Sequence, residues 1–311
     1  MHKEGNMWQQ ILPPKLVSAL NNVNIKTITE LRLRVNKPVV IFTTIKFYLS
    51  KNGLTTNEKD ALVLGTQEIA DIVFNACKHS VYAHNEELKQ GFLTLDNGFR
   101  LGLSGEIVLD NGNIKTLKNF SSINLRFSKE VKNFSLNSLM YLCNLDNKIY
   151  STLVIAPPNC GKTTYIRDLC YQISSKNIED NILVVDERNE ISASVNSNPT
   201  MQLGNNTDVY VGCSKQFGII NGIRTMSPNV IVLDEIATID DINALNYAIN
   251  SGVKIIATTH SYNFYTLQKK PLFKNLLSLG AFERFVVLNK EDNVCKVSAI
   301  YNENSVCIYS G

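Results

Sequence analysis

Two cysteines three apart occur nowhere in this 311-residue sequence, and its seven cysteines, an odd number, show no metal-ligand spacing. That pattern excludes a zinc ribbon and a disulfide framework, and is expected of reduced thiols in a cytosolic protein. A net charge of +3 is too small to mark a nucleic-acid surface. No apolar run approaches the roughly 18 residues that a membrane helix needs. The opening stretch, MHKEGNMWQQILPPKLVSAL, lacks a basic region followed by an apolar core and a cleavage site, so no secretory leader is expected. Work at a membrane would then go through partners. Internal repeats and low-complexity segments are also missing.

What is present is an ordinary globular composition, 44% hydrophobic, on a chain long enough for two domains. Residues 9–30 read as helical, and ITELRLRVNKPVVIFTT as the first paired strands. A helix and a second short one fit TQEIADIVFNACKHSVYAHNEELKQG. Two Asp-Asn-Gly turns in GFLTLDNGFRLGLSGEIVLDNGNIKTL separate three alternating stretches, the signature of a β-meander. An α+β domain is therefore expected over 1–130. The polar, Ser-containing FSKEVKNFSLNSL reads as linker. From 131 to 311 apolar strands alternate with helices (TLVIA, NILVVDE, NVIVLDE and KIIATTH among the strands), which predicts a mostly parallel sheet covered on both faces.

The strand TLVIA runs into Ala156-Pro157-Pro158-Asn159-Cys160-Gly161-Lys162-Thr163-Thr164. This reads as a phosphate-binding loop, Gly-x4-Gly-Lys-Thr, with Ala156 in place of the first glycine, and the flanking strand and helix favour that reading over a chance match in a polar turn. Ala is the smallest alternative at a strand end, and Asn159 tolerates the left-handed backbone such a turn needs. Backbone N–H groups at a helix N-terminus would hold ATP phosphates, with Lys162 on the β- and γ-phosphates and Thr163 on Mg2+.

NVIVLDE delivers a second element, Asp234 for Mg2+ and Glu235 to orient and polarise the attacking water, 72 residues after Lys162. Asp186, Glu187, Arg188 and Glu190 follow another strand, where solvated loop charges are an equal alternative. His260 ends a fourth strand, after Thr259, and would sense the γ-phosphate or merely cap the strand. Arg224, ten residues before Asp234, suits a phosphoryl transition state or an ordinary surface ion pair.

With these residues named, the chain resembles the stage III sporulation protein AA family of P-loop ATPases, related to type II and type IV secretion and pilus-retraction motors. The resemblance rests on APPNCGKTT, VVDERNEI, DVYVGCSKQFGIINGIRTMSPNVIVLDEI and GVKIIATTH, and in the first half on ITELRLRVNKPVVI, VYAHNEELKQGFLTLDNGFRLGLSGEIV and SSINLRFSKEV. Ala156 and Asn159 replace glycines common in the family, and Asn229 replaces an Asp. The resemblance implies a RecA-like ATPase domain using ATP and Mg2+, assembled as a homo-hexamer. It also implies a place in the mother-cell cytoplasm beside membrane proteins of the stage III sporulation complex, serving a channel to the forespore. It implies an acidic box at Asp186, Glu187 and Glu190, a histidine box at His260, and Arg126 reaching the γ-phosphate from the N-terminal domain. Two other readings compete: a nucleic-acid-binding ATPase, disfavoured because the fifty or so residues after His260 carry no basic stripe interleaved with aromatics, and a nucleotide switch with little turnover.

Overall fold

A computed structural model of the chain describes residues 7–80, 84–95, 99–110, 112–127, 131–179, 181–194, 198–291 and 294–311. The chain divides into two compact units, Met1–Lys129 and Glu130–Gly311.

The first unit runs α1 (Pro14–Leu20), β1 (Glu30–Arg34), β2 (Val40–Phe42), β3 (Lys46–Ser50), β4 (Gly53–Thr55), α2 (Thr66–Ala76), α3 (Asn85–Lys89), β5 (Phe92–Thr94), β6 (Arg100–Asp110) and β7 (Asn113–Arg126). Its strands form one antiparallel sheet in the order β4-β3-β2-β1-β7-β6-β5. Leu16 and Leu20 of α1 and Ile69, Ile72 and Val73 of α2 share a core with Leu31, Leu33, Leu101, Ile123 and Leu125 of the sheet. The predicted meander is β5-β6-β7. Its first Asp-Asn-Gly, 96–98, lies outside the described residues, and the second places Gly112 at φ 80°.

The continuous helix expected over 9–30 does not form. The α-helix is confined to Pro14–Leu20, between 3-10 turns at Met7–Ile11 and Ile25–Thr27, and Glu30 already belongs to β1. Pro14 sits in the first helical turn, where its missing N–H costs nothing, and so sets the start. The Asn21-Asn22-Val23-Asn24 run ends it, because Asn side chains compete for backbone groups.

The second unit runs α4 (Leu139–Leu142), β8 (Thr152–Ala156), α5 (Lys162–Ser175), β9 (Ile182–Asp186), β10 (Thr207–Val211), α6 (Lys215–Met226), β11 (Val230–Glu235), α7 (Ile239–Asn250), β12 (Lys254–His260), α8 (Phe264–Gln268), α9 (Pro271–Ser278), β13 (Arg284–Glu291), β14 (Val294–Asn302) and β15 (Cys307–Ser310). The sheet order is β10-β9-β11-β12-β8-β13-β14-β15. The first six strands are parallel and the last two antiparallel. Alternate side chains serve alternate faces. Val154, Val184, Val232 and Ile256 pack on the α5 side, while Ile155, Val185, Leu233 and Ile255 pack on the side of α6 and α7. Both faces are covered, as a parallel sheet requires. α6 lies directly on β9, because a Cβ on Gly218 or Gly222 would collide with Val185 or Leu183.

The linker reading of 127–139 also changes. Residues 128–130 lie outside the described residues, but 131–138 is docked on α5. The carboxylate of Asp168, buried, accepts from the backbone N–H of Asn133 (2.9 Å) and Ser135 (2.8 Å) and from Ser135 Oγ (2.7 Å). Phe134 meets Tyr165 edge-on at 5.3 Å. Ser135 and Ser138, which looked like linker composition, are buried: Ser135 donates to Asp168, and Ser138 donates to the Ser135 carbonyl and bonds the Tyr165 hydroxyl. Asp168→Ala would strand three donors, and we expect a loss of about 3 kcal/mol in unfolding free energy by urea denaturation; a loss within the scatter of surface substitutions would refute the clamp.

Candidate active site

The loop after β8 has the backbone its sequence called for. Asn159 has φ 60° and Gly161 φ 76°, both left-handed, and α5 begins at Lys162. Ala156 has no positive φ, so the position where the pattern puts glycine needs none here. It is fully buried against the α5 face. Pro158 and Asn159 are exposed, Cys160 is buried, and Pro157, Thr163 and Thr164 are intermediate.

Lys162 bridges this loop to the neighbouring strand end. Its Nζ donates to the carbonyls of Ala156 (3.4 Å) and Pro157 (3.3 Å) and to Nδ1 of His260 (2.9 Å). An ammonium can only donate, so Nδ1 is the unprotonated nitrogen and the His260 proton sits on Nε2. Nε2 lies 3.4 Å from Glu235 Oε2. A continuous path therefore runs Lys162, His260, Glu235 across the ends of α5, β12 and β11. Burial pushes the Lys162 ammonium below its ordinary range, against the pull of Glu235 and Asp234.

Asp234 is perturbed in the opposite sense. Burial, then the charges of Glu190, Asp186 and Glu235, push its carboxyl up to about 6, with Arg188 pulling the other way. On the neighbouring strand, Thr258 shares the α5-facing side with Ile256, and its Oγ1 is buried without a hydrogen-bond partner. Among the described residues no three His, Cys, Asp or Glu side chains form a metal cage. Uncompensated carboxylate charge without a full ligand set fits Mg2+, which is held by one or two protein groups and otherwise by water and phosphate.

The acidic segment after β9 is not a solvated loop throughout. Asp186 is fully buried and accepts from the backbone N–H groups of Glu190 (2.8 Å), Ile191 (3.1 Å) and Ser192 (2.8 Å) and from Ser192 Oγ (2.7 Å). It shapes the turn that brings Glu190 towards Asp234. Glu187 and Arg188 are exposed, and Glu187 pairs with Lys215 at 2.8 Å. Lys215 also reaches Asp241, 3.3 Å away at the start of α7. Sequence reading missed Arg167, whose guanidinium holds the same turn by donating to the carbonyls of Ile191 and Glu190, both at 2.8 Å. The signal was there: Arg167 and Asp168 interrupt the otherwise apolar buried run Tyr165 to Cys170.

Two arginines of the sequence reading remain. Arg224 is exposed near the end of α6. That end adjoins the start of β9, where Asn181 bonds the Ser227 carbonyl, so it occupies the edge of the sheet opposite Glu235. A helix returning between parallel strands must finish at that edge. Arg126 belongs to the first unit, where it sits across from Glu30 with Nε 3.8 Å from its carboxylate. Asn229 accepts the Asn181 backbone N–H through Oδ1 at 3.0 Å, a task that requires an oxygen and not a charge.

The sequence profile described as sporulation stage III, protein AA matches residues 2–308. The chain belongs to that family. Stage III sporulation protein AA of Bacillus subtilis (strain 168) is 33% identical over 309 residues, covering 96% of this chain and 95% of that protein. Among solved structures, the ATPase DotB of Yersinia pseudotuberculosis superposes with TM-score 0.59 at 16% identity, over 89% of this chain and 76% of that one. The pilus retraction motor PilT, solved with bound ADP, gives TM-score 0.58 at 12% identity, over 92% and 80%. At such identities the likeness is one of fold: this family member has the mixed α/β architecture of the ATPase DotB and the pilus retraction motor PilT. No helix among the described residues is long and apolar enough to cross a membrane.

The raised carboxyl of Asp234 gives the family's fold a measurable signature. Because the folded state binds this proton more tightly than the unfolded chain, the ionised form opposes folding increasingly from about pH 4 to about pH 6 and fully above. In the ligand-free chain, Asp234→Asn should raise the unfolding free energy above pH 6 by on the order of 2 kcal/mol. That gain should shrink as the pH falls towards 4. Urea denaturation across this range reads it, and a gain independent of pH would show an unperturbed carboxylate.

Proposed function

We propose that the chain is a Mg2+-dependent ATPase acting as a homo-hexameric ring motor in endospore formation. It works in the mother-cell cytoplasm and energises a secretion-like channel to the forespore through membrane proteins of the stage III complex. The observation that carries this reading is the convergence of Lys162, His260, Glu235 and Asp234 on one phosphate-type loop. Family membership and the fold shared with a pilus motor that binds ADP support it.

The residues divide the work. The backbone of 156–163 at the start of α5 receives the phosphates, aided by the helix dipole. Lys162 exchanges its carbonyl partners and His260 for the β- and γ-phosphates. Thr163 and Asp234 would hold Mg2+, which supplies neutralisation of charge on the phosphates. Glu235 orients the attacking water and takes its proton, while His260, released by Lys162, positions the Glu235 carboxylate through Nε2 and answers to the γ-phosphate. Glu190 adds to the negative field on Asp234. Arg224, at the far edge of its own sheet, would serve a neighbouring subunit's site in the ring.

The test is ATP hydrolysis measured across protein concentrations, with and without single-stranded DNA. Specific activity should climb with concentration, because a site completed by assembly needs its neighbours, and DNA should leave it unchanged. Stimulation by DNA would favour a nucleic-acid ATPase instead. Glu235→Gln should lower hydrolysis by roughly 100-fold or more while retaining bound ATP; an unchanged rate removes Glu235 from the mechanism. Lys162→Ala should weaken ATP binding by at least about tenfold, as the phosphates lose a charge-assisted partner. Unaltered affinity would mean that the phosphates bind elsewhere.

A further inference from the structure

The residues assigned so far account for the phosphate end of a nucleotide and leave its base without a place. β8, which leads into the phosphate loop, has β12 on one side and β13 on the other. His260, Glu235 and Asp234 all come from the β12 and β11 side. If the γ-phosphate lies there, the phosphate chain runs back along the loop and the nucleoside leaves on the β13–β14 side.

A cavity of about 350 Å³ opens on that side, between the segment 133–138 docked on α5 and the β13–β14–β15 edge of the sheet. It lies within the roughly 300–1,000 Å³ range of small-molecule sites. The cavity adjoins the phosphate loop. Two of its lining side chains, Phe134 and Cys295, are what a Cβ on Gly161 would meet, each at 3.3 Å. Cys295 Sγ is also 3.9 Å from the Asn159 carbonyl oxygen.

Its lining suits a heteroaromatic ring. Phe134, Val297 and Tyr309 give apolar and aromatic surface. Asn137 is exposed at the cavity, and Asn289 is held by a bond from Nδ2 to Ser298 Oγ at 3.2 Å. Ser298 is in turn fixed by donating to the Val287 carbonyl at 3.1 Å. The anchored amide of Asn289 keeps Oδ1 and its second N–H hydrogen for a ligand. An Asn amide matches the adenine N6–N7 edge, donating to one atom and accepting from the other. We propose that this cavity takes the purine base of the nucleotide, with Phe134 against the ring and Asn289 on its hydrogen-bonding edge. The inference rests on the ATP reading above.

Calorimetry with the full chain separates the two. ATP and inorganic tripolyphosphate, each with Mg2+, are titrated into wild type, Asn289→Ala, and Asn137→Trp, which fills the cavity from its exposed rim. Each variant should weaken ATP by roughly tenfold, the scale of one lost amide–base pair, and leave tripolyphosphate binding unchanged. Wild type should also prefer ATP to CTP, with the preference reduced in Asn289→Ala. ATP affinity that is unchanged in both variants, or that falls in parallel with tripolyphosphate in both, overturns the base site while leaving the phosphate loop in place. A wild type that binds neither ligand overturns the ATP reading, and the base site with it.

Discussion

Parallel strands buried on both faces leave a chain few places to put charge. Each strand of β8, β9, β11 and β12 is followed by a crossover that returns along one face, so all four finish at the same edge. Within the sheet, side chains must be apolar to fill the two cores. At the common edge they need not be, and there the sequence changes abruptly, to Pro157-Pro158-Asn159, to Asp186, to Asp234-Glu235 and to His260. The topology thus gathers residues 104 positions apart, Ala156 to His260, into one hydrogen-bonded neighbourhood. The chemistry of the site is a by-product of how the sheet closes its backbone bonds.

Gathering acids at a partly buried edge is costly, and the molecule handles each one differently. Asp186 is neutralised by backbone N–H donors, Glu187 by Lys215, and Glu235 faces the proton-bearing nitrogen of His260. Burial and its acidic neighbours push the Asp234 carboxyl above the ordinary range, and on the neighbouring strand the buried hydroxyl of Thr258 has no partner. Stability has been yielded at the position where a cation would restore it, a common relation between strain and function.

Much of this was legible in the sequence because the governing signals are local. Apolar runs of five flanked by helical spacing marked β8, β9, β11 and β12, and Asn159 announced its left-handed backbone. The false continuity of 9–30 arose because periodicity persists through Pro13-Pro14 and the asparagines, although those residues end helices. The linker reading failed for a different reason: Ser135 and Ser138 look like loop composition until the buried Asp168 and Tyr165 that satisfy them are known. Arg224 sits close to Asp234 in sequence, yet the strand between them carries it to the opposite edge. Nor can spacing reveal Cys295 against Asn159, since the contact spans 136 positions.

That last contact bears on how the loop responds to a ligand. Asn159 and Gly161 already occupy their left-handed wells, Phe134 and Cys295 close on Gly161 from behind, and Lys162 ties the loop's first carbonyls to β12. The conformational entropy of ordering these residues is therefore lost during folding and not on association. A loop arranged in advance in this way behaves as a rigid receptor, and its affinity is linked to the integrity of a β-hairpin that need touch no phosphate at all.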